Sequence, residues 1–391
     1  MSGCYFNNKE SCNFTYPFSE MKLSNSLFSK SQIFISPFRK GGLRGIFNAF
    51  SITICILLFC SINLNAATLE PKTGARPLGM AAYSAVSDDI NAMCYNPAGL
   101  SLIQTHELSS AYAPLYGFDS EILQSYLAYA YPAGRWGTFG INFSYLDYGD
   151  MDWRDNSGEA LGTFSRTDYS FYASYGLRVI ESIAFGLSAG YNSVGMDAVD
   201  EFAGGVGFDA GLLYTIASKI SLGLNVENLG GVSAADMEIA RQKIRTGVAV
   251  SALDRGDMGL IIAMDLEEQQ GKTDSLYTGF EYSIFSPSSF FIKRKIQERY
   301  INLSKKHGQI VDYSEGVPEQ NSRISLCLRG GLRKRFAVSE PISLSGGVSI
   351  KYIAIPGSLT IKLDHAFSWH RYMDSTQRFS LGLEMGDSAY N

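Results

Sequence analysis

The sequence predicts an all-β fold, an antiparallel transmembrane β-barrel of about fourteen strands. After residue 105, apolar and small polar side chains alternate along most of the chain, which is typical of strands with two different faces. Only 18% of the 391 residues are charged, whereas Gly (39), Phe (24) and Tyr (23) are abundant. The body of the chain has no run of the roughly 20 apolar residues that a spanning helix needs. A soluble β-sandwich or propeller is the alternative that composition leaves open.

The alternation is clear between residues 137 and 145. Phe139, Ile141 and Phe143 share one face, while Thr138 and Asn142 lie on the other. Across the chain, the second face carries mostly Gly, Ser, Ala and Asn, which suit the crowded, wet interior of a barrel. Fourteen such stretches are predicted, near residues 105–114, 120–132, 136–148, 167–178, 182–194, 205–216, 219–228, 242–252, 257–267, 274–284, 322–332, 341–354, 357–367 and 376–386.

The predicted links between strands alternate in length, as periplasmic turns and outer loops of outer-membrane barrels do. Long links cover residues 149–166, 195–204 and 229–241. Residues 285–321 break the rule, because a long segment stands where a periplasmic turn is expected. This insertion is rich in Lys and Arg, and it is either a solvated insertion or a basic docking segment for a periplasmic partner.

Residues 1–66 are predicted to be an N-terminal extension and a cleavable signal peptide. Arg39, Lys40 and Arg44 precede a largely apolar run over residues 46–62, and small residues follow at 66–67. A membrane anchor is the alternative, but the apolar run is short for one. A signal peptide before a barrel predicts the cell outer membrane as the location.

Several function classes are disfavoured. The net charge of -5 argues against nucleic-acid binding. Residues 186–190 match G-x-S-x-G but lie in a predicted strand, not in the strand-to-helix elbow that exposes a nucleophilic Ser. Cys94 and Cys327 are far apart and are predicted to be free thiols. We therefore predict no enzyme activity, no cofactor and no metal site, and the His residues lack metal-binding context: His106, His307, His365 and His370.

Residues 73–101 read TGARPLGMAAYSAVSDDINAMCYNPAGLS. This segment resembles the N-terminal signature of PorV/PorQ-like proteins, which belong to the FadL-like group of outer-membrane barrels. Residues 225–230, 363–367 and 377–383 are similar to later parts of that family. The matched signature includes Gly74, Arg76, Gly79, Met80, Asp88, Asp89, Asn96, Pro97 and Gly99.

The resemblance implies that residues 67–104 fold into the lumen of a fourteen-stranded barrel as a hatch, before the barrel over residues 105–391. A barrel of that width is too wide for its own side chains to fill. We predict a short helix over residues 81–93 and a turn over 96–99 that ends it. Asp88 and Asp89 either cap a turn and pair with a lumen Arg such as Arg245 or Arg323, or they help to gate the hatch.

Charged residues on the lumen face form the second candidate site. Charges in a barrel wall avoid lipid and pair with each other or with a plug. They form either an ion-pair network that braces the hatch or part of a substrate path. The predicted set is Asp209, Arg245, Asp265, Glu281, Arg323, Arg329, Lys351, Lys362, Asp364 and Glu384.

The resemblance implies two functions. The first is a secretion-associated, type IX-like barrel that holds or passes exported cargo, with secreted proteins or periplasmic secretion components as partners. The second is passive transport of a small hydrophobic ligand across the outer membrane, as FadL-like proteins perform. Outer-membrane lipid is the expected surrounding in both cases.

Overall fold

The computed structural model describes residues 73–155, 157–196, 201–217, 219–229, 232–234, 237–255, 258–269, 271–284, 324–336, 342–355, 358–369 and 375–386. The predicted signal peptide, the 285–321 insertion, Arg323, His307 and His370 lie outside the described residues. None of the helices in the described ranges is long and apolar enough to cross a membrane.

The N-terminal part of the described chain contains short helices. α1 spans Ala75–Met80 and α2 spans Ala92–Tyr95. A 3-10 helix, Pro97–Leu102, follows directly, and a 3-10 turn, Gly134–Trp136, lies between the second and third strands.

Strands make up most of the rest of the described chain. Their bounds are β1 His106–Pro114, β2 Leu123–Pro132, β3 Thr138–Arg154, β4 Ala160–Ile180, β5 Ile183–Met196, β6 Glu201–Ile216, β7 Ile220–Glu227, β8 Val232–Ala234, β9 Met237–Ala240, β10 Lys243–Arg255, β11 Met258–Gln269, β12 Lys272–Ile284, β13 Ile324–Arg335, β14 Ser343–Ile355, β15 Leu359–Trp369 and β16 Thr376–Met385.

Fourteen of these strands form one closed antiparallel barrel, which confirms the predicted fold class. Each barrel strand pairs with the next one along the chain, and β1 pairs with β16 to close the ring. In that closing ladder Ser109 lies opposite Gly382. Closure leaves no unpaired edge in the barrel, so every barrel strand has two hydrogen-bonding neighbours.

All three predicted long links differ from the structure. In the 195–204 link, β5 continues to Met196 and β6 begins at Glu201. β3 continues to Arg154 and β4 begins at Ala160, so most of the expected 149–166 loop is strand. The sequence missed this because backbone pairing continues without an apolar face, so no alternation marks it. The 229–241 link contains the small β8–β9 hairpin, a separate two-stranded sheet. Residues 152–162 belong to a second compact unit, in which Asp155 accepts a hydrogen bond from the Glu159 N–H at 2.8 Å.

The two faces of the strands differ as predicted. Phe139 and Ile141 on β3 are 50% and 49% exposed, whereas Asn142 is 4% exposed. The same contrast holds on β5, where Leu187 is exposed and Ser188 is buried. Large apolar side chains therefore cover the outside of the wall and small polar ones line its inside, as in barrels that face lipid.

Candidate functional site

The described part of the hatch, residues 73–104, packs against the inner face of the wall. Nearly all of their side chains are buried, including Met80, Tyr83 and Leu100. The predicted helix over 81–93 is wrong: α1 precedes it, α2 covers only its end, and residues 81–91 form turns. The reason is that the N–H groups of Tyr83, Ser84 and Ile90 bond to wall carboxylates, so they are not available for helix hydrogen bonds.

Arg76 on α1 is the centre of a buried ion-pair cluster. Its Nε and Nη2 donate to the two carboxylate oxygens of Glu281 on β12, at 2.8 and 2.9 Å. Its Nη1 donates to Asp89 at 3.1 Å and also to Asp88. One guanidinium thus joins two hatch carboxylates to one wall carboxylate, which its planar fork of donors permits.

The cluster continues along the wall. Arg329 on β13 donates from Nε to Glu281 at 2.6 Å and from Nη1 to Asp364 at 2.8 Å. Lys362 on β15 lies 3.3 Å from Asp89 and 3.8 Å from Asp364. The side chains alternate in sign, so each buried charge has an opposite charge beside it, as burial in low dielectric requires.

The pKa of Asp89 reflects both its burial and the charges around it. Burial raises the pKa of a carboxyl group, but the charges of Lys362 and Arg76 lower the pKa of Asp89 further than burial raises it. Hydrogen bonds from the Tyr83 hydroxyl and the Asn91 N–H act in the same direction. Asp89 is therefore ionised at neutral pH and binds the hatch to β15.

Asp265 on β11 forms a second attachment. Its Oδ2 accepts hydrogen bonds from the backbone N–H groups of Tyr83 and Ser84, both at 2.8 Å. Its Oδ1 accepts the Ser84 hydroxyl, also at 2.8 Å. These bonds fix the turn that replaces the predicted helix.

The expected pairing of Asp88 or Asp89 with Arg245 is wrong. Arg245 on β10 pairs instead with Glu267, and its guanidinium lies 4.6 Å from the ring centre of Tyr277 and 5.9 Å from that of Tyr95. The hatch supplies its own cation, Arg76, for its acidic pair. The sequence identified Arg76 as a signature residue but did not predict that it pairs with Asp88 and Asp89. Arg76 precedes these residues by 12 and 13 positions, a spacing that follows no local pattern.

Asn96 and Pro97 connect the hatch to the wall. The Asn96 carboxamide donates to the carbonyls of Ser84 at 2.9 Å and of Leu212, on β6, at 3.2 Å. Its oxygen accepts the Ala98 N–H and so caps the 3-10 helix that begins at Pro97. The predicted turn is thus the start of a short helix.

Wall glycines make room for the hatch backbone. A Cβ at Gly176 on β4 would lie 2.7 Å from the Leu100 Cβ, and one at Gly279 on β12 would collide with the Met80 carbonyl. Glycine lets two backbones approach this closely. The glycines whose missing Cβ faces the hatch lie on eight strands and are Gly140, Gly176, Gly186, Gly211, Gly223, Gly247, Gly279 and Gly331.

The remaining six strands reach the hatch through side chains. Glu107 on β1, for example, accepts the Ile90 N–H at 3.0 Å, and the Ser380 hydroxyl on β16 accepts the Ala75 N–H at 3.0 Å. Every barrel strand therefore contacts the hatch. The six side chains are those of Glu107, Tyr126, Asp265, Ser345, Lys362 and Ser380.

The other predicted lumen charges lie outside the Arg76 cluster. Lys351 pairs with Glu384 at 2.7 Å, and Asp209 accepts the Asn228 N–H at 2.7 Å. The prediction missed Glu107, Glu267 and Arg378, which also face the lumen. Their signal was available, because they alternate in step with the polar face of their strands.

A cavity of about 120 Å³ lies between the hatch and the wall. Thr73, Met93 and Cys94 line its hatch side. A cavity of about 150 Å³ accommodates one benzene molecule, so this cavity fits only a small molecule. Its wall side is formed by β3 to β7 and the residue after them, through Asn142, Ser144, Ser170, Tyr172, Asn192, Asp209, Glu227 and Asn228.

The motifs that resemble catalytic ones have structural roles. Ser188 of the G-x-S-x-G match is buried inside β5 and shares a 2.8 Å hydrogen bond with Ser174. His365 bonds to Gln377 at 2.8 Å, and His106 bonds to the Tyr129 hydroxyl at 2.8 Å. Among the described residues, no group of His, Cys, Asp or Glu side chains is arranged to hold a metal ion. Neither Cys94 nor Cys327 forms a disulfide within the described residues.

Solved structures of other proteins have a similar fold. A scan against protein-family models and a search of curated proteins find no match. A solved structure titled "TodX monoaromatic hydrocarbon channel deltaS2 mutant" is similar, with a TM-score of 0.52 and 11% identity over 80% of this chain and 97% of that one. This chain therefore shares the fold of that channel. The Pseudomonas putida toluene transporter TodX gives a TM-score of 0.51 and 10% identity, over 82% of this chain and 98% of that one.

The structure of a Pseudomonas aeruginosa FadL homologue aligns with 82% of this chain over 99% of its own length, with a TM-score of 0.44 and 10% identity. At identities of 10–11%, the likeness to the two TodX structures establishes the fold alone. The chemistry of this barrel must therefore be inferred from its own hatch and cavity.

Proposed function

We propose that the protein is a passive outer-membrane channel for small molecules, closed at rest by its hatch. One observation carries the proposal: the hatch contacts every strand of the ring, and the cavity described beside it has a volume of only about 120 Å³. A barrel of fourteen strands without such a segment would enclose an open, water-filled passage. The lumen is therefore suited to selecting a small molecule, not to free diffusion.

Transport fits better than the secretion-associated role that the sequence placed first. The similar structures are, by their titles, a toluene transporter and a monoaromatic hydrocarbon channel. The cavity volume of about 120 Å³ is close to the roughly 150 Å³ that accommodates one benzene molecule, so it is of the right order for a small aromatic ring. The narrower resemblance to PorV/PorQ-like proteins, and with it a type IX partner, rests on the sequence resemblance alone.

Planar-bilayer recordings on the purified full chain test the proposal. The wild-type protein is expected to show little ion conductance, because the hatch fills the ring. A variant that lacks residues 75–100 is expected to conduct as a wide pore. The double variant Arg76→Ala and Asp265→Ala keeps the whole chain and is expected to show intermittent openings, since both attachments of the hatch are weakened.

Arg154→Ala is the matched control, because Arg154 is exposed and its ion pair with Asp152 does not involve the hatch. A wild-type protein that already conducts like an open porin would contradict the proposal. So would a double variant as silent as the control although it assembles in the membrane.

A further inference from the structure

The hatch seals one side of the barrel more tightly than the other. Short links lie at the end of the barrel where β4 ends at Ile180 and β5 begins at Ile183, which is called the turn end below and is typical of the periplasmic side. Thr215, the second-last residue of β6, is 4% exposed, whereas the side chain of Glu384, the second-last residue of β16, is 22% exposed. Because both side chains face the lumen, solvent enters the barrel more readily along β16 than along β6.

Close packing seals the sector from β5 to β10. Leu102 of the hatch belongs to the same buried apolar cluster as Leu213 on β6 and Ala249 on β10. A Cβ at Gly186 on β5 would collide with the carbonyl carbon of Pro97. Backbones that are packed this closely cannot be separated by rotating a side chain, so this sector opens only if the hatch itself moves.

The hatch leaves a gap at the turn end of β14, β15 and β16. Gly382 on β16 faces the lumen, but the three atoms nearest to a Cβ added there all belong to Lys362 of the wall, at 3.5 to 4.0 Å. Lys362 lies opposite Lys351 of β14, and their side chains are 19% and 18% exposed. Higher on β14, a Cβ at Gly79 of α1 would lie 3.3 Å from the Gly347 Cα. The opening, called the side gap below, therefore lies between α1 and the turn end of these strands.

The first described residues of the hatch lead from the cavity to β16. Thr73 lines the cavity. Arg378 donates to the Gly74 carbonyl at 3.4 Å, and the Ser380 hydroxyl accepts the Ala75 N–H at 3.0 Å. The wall makes both of these contacts with side chains, which can rotate without displacing the hatch backbone.

Lys362 bridges the side gap. Its Nζ lies 3.3 Å from a carboxylate oxygen of Asp89 in the hatch and 3.8 Å from one of Asp364 in the wall. Its neighbour Lys351 pairs with Glu384, so that ion pair stays within the wall. An ion pair that solvent reaches is weak, and the lysine stem is flexible. Rotation of Lys362 towards Asp364 would therefore break the bridge at little cost.

From this asymmetry we infer that a solute passes the hatch through the side gap along β14 to β16, and that Lys362 controls this exit. The inference rests on the proposed function, because it gives the route of the channel past its hatch. Passage here requires wall side chains to rotate, whereas passage along β5 to β10 requires packed backbones to separate.

Single cysteines test whether the side gap is open to solvent. The cationic thiol reagent MTSET is applied to the full-length protein in nanodiscs, in a Cys94→Ala, Cys327→Ala background, and peptide mass spectrometry measures the modification. Thr360→Cys is expected to react, because Thr360 lies opposite Glu384 at the gap. Ser221→Cys is expected to react about tenfold more slowly or less, because Ser221 is fully buried near the start of β7.

Planar-bilayer currents test whether the side gap is the exit. The background is the double variant Arg76→Ala and Asp265→Ala, in which the proposed function predicts openings. MTSET modification of Thr360→Cys in this background is expected to reduce the current by about half or more, because it narrows the path and adds a positive charge. Lys362→Gln in the same background is expected to raise the open fraction about twofold to fivefold, since one weak ion pair is lost.

Lys219 is the control position, because it is exposed in the turn between β6 and β7, across the ring from β15. Lys219→Cys is expected to react without changing the current, and Lys219→Gln is expected to leave the open fraction unchanged. The inference would be overturned if Thr360→Cys reacted as slowly as Ser221→Cys, or if Lys362→Gln did not raise the open fraction.

Two further outcomes separate this inference from the proposed function. A silent double variant in which Thr360→Cys still reacts would count against the gated channel and leave the side gap standing. Openings that persist in full after modification of Thr360→Cys would overturn this exit and leave the gated channel standing.

Discussion

Ser84 of the hatch is bound to Asp265 of β11 at two points, through its backbone N–H and its hydroxyl, each at 2.8 Å. Asp265 is fully buried, so water cannot replace it as an acceptor. Asp265→Ala is expected to weaken the seating of the hatch by about 1–3 kcal/mol for each polar group left without a partner. Faster proteolysis of the hatch in assembled protein is the measurement.

Asp168→Asn serves as the control for this change, because Asp168 pairs with Arg166 of its own strand. Hatch proteolysis at the wild-type rate in Asp265→Ala would show that this attachment is dispensable.

The ion pairs of Asp89 predict how the closed state depends on pH. Its pKa in the folded protein lies below its ordinary value, because Lys362 and Arg76 outweigh the effect of burial. The stabilisation is fully present above the unfolded pKa of about 3.9 and is lost as the pH falls from there towards the folded pKa. We expect constant low conductance between about pH 8 and pH 5, and openings at about pH 3.

Asp89→Asn is expected to remove part of this dependence, because the amide does not titrate. The result that would contradict the assignment is an opening transition near neutral pH in the wild type, or an unchanged acid transition in the variant.

A substitution at Gly279 tests whether the hatch must approach the wall closely. A Cβ there meets the Met80 carbonyl, so Gly279→Ala is expected to displace the hatch locally and raise conductance or lower thermal stability by about 1–3 kcal/mol. Gly382→Ala is the matched control, because the nearest atom to its added Cβ is the Lys362 Cβ at 3.5 Å, an ordinary contact. Equal effects of the two substitutions would mean that the hatch does not need this glycine.

The outer face predicts a contrast in membrane assembly. Leu363 on β15 is 53% exposed, and Leu363→Arg is expected to reduce insertion by about 2–4 kcal/mol if the site is near the membrane centre. Thr360→Arg on the same strand is the comparison, since alternation places Thr360 on the lumen side with Lys362. Heat-modifiable gel mobility reports the folded fraction, and equal losses would contradict the assignment of faces.

The sequence predicted the barrel wall better than the structure and contacts of the hatch inside it. Alternation along a strand is a local signal, so the amino-acid pattern alone assigned Phe139 and Asn142 to the correct faces. Arg76 and Glu281 are 205 residues apart, and nothing in their neighbourhoods indicates the contact. The turn at Ser84 was missed for the same reason, because it depends on Asp265 far along the chain.

Because the hatch contacts every barrel strand, its dimensions restrict how many strands the ring can contain. Loss or gain of one strand would change the circumference by about 4.8 Å divided by the cosine of the strand tilt. Opposite sides of the hatch, such as Asn96 at β6 and Ala75 at β16, would then no longer reach their wall partners together. The N-terminal segment therefore specifies the circumference of the barrel, because its polar groups all reach their partners only in a ring with this number of strands.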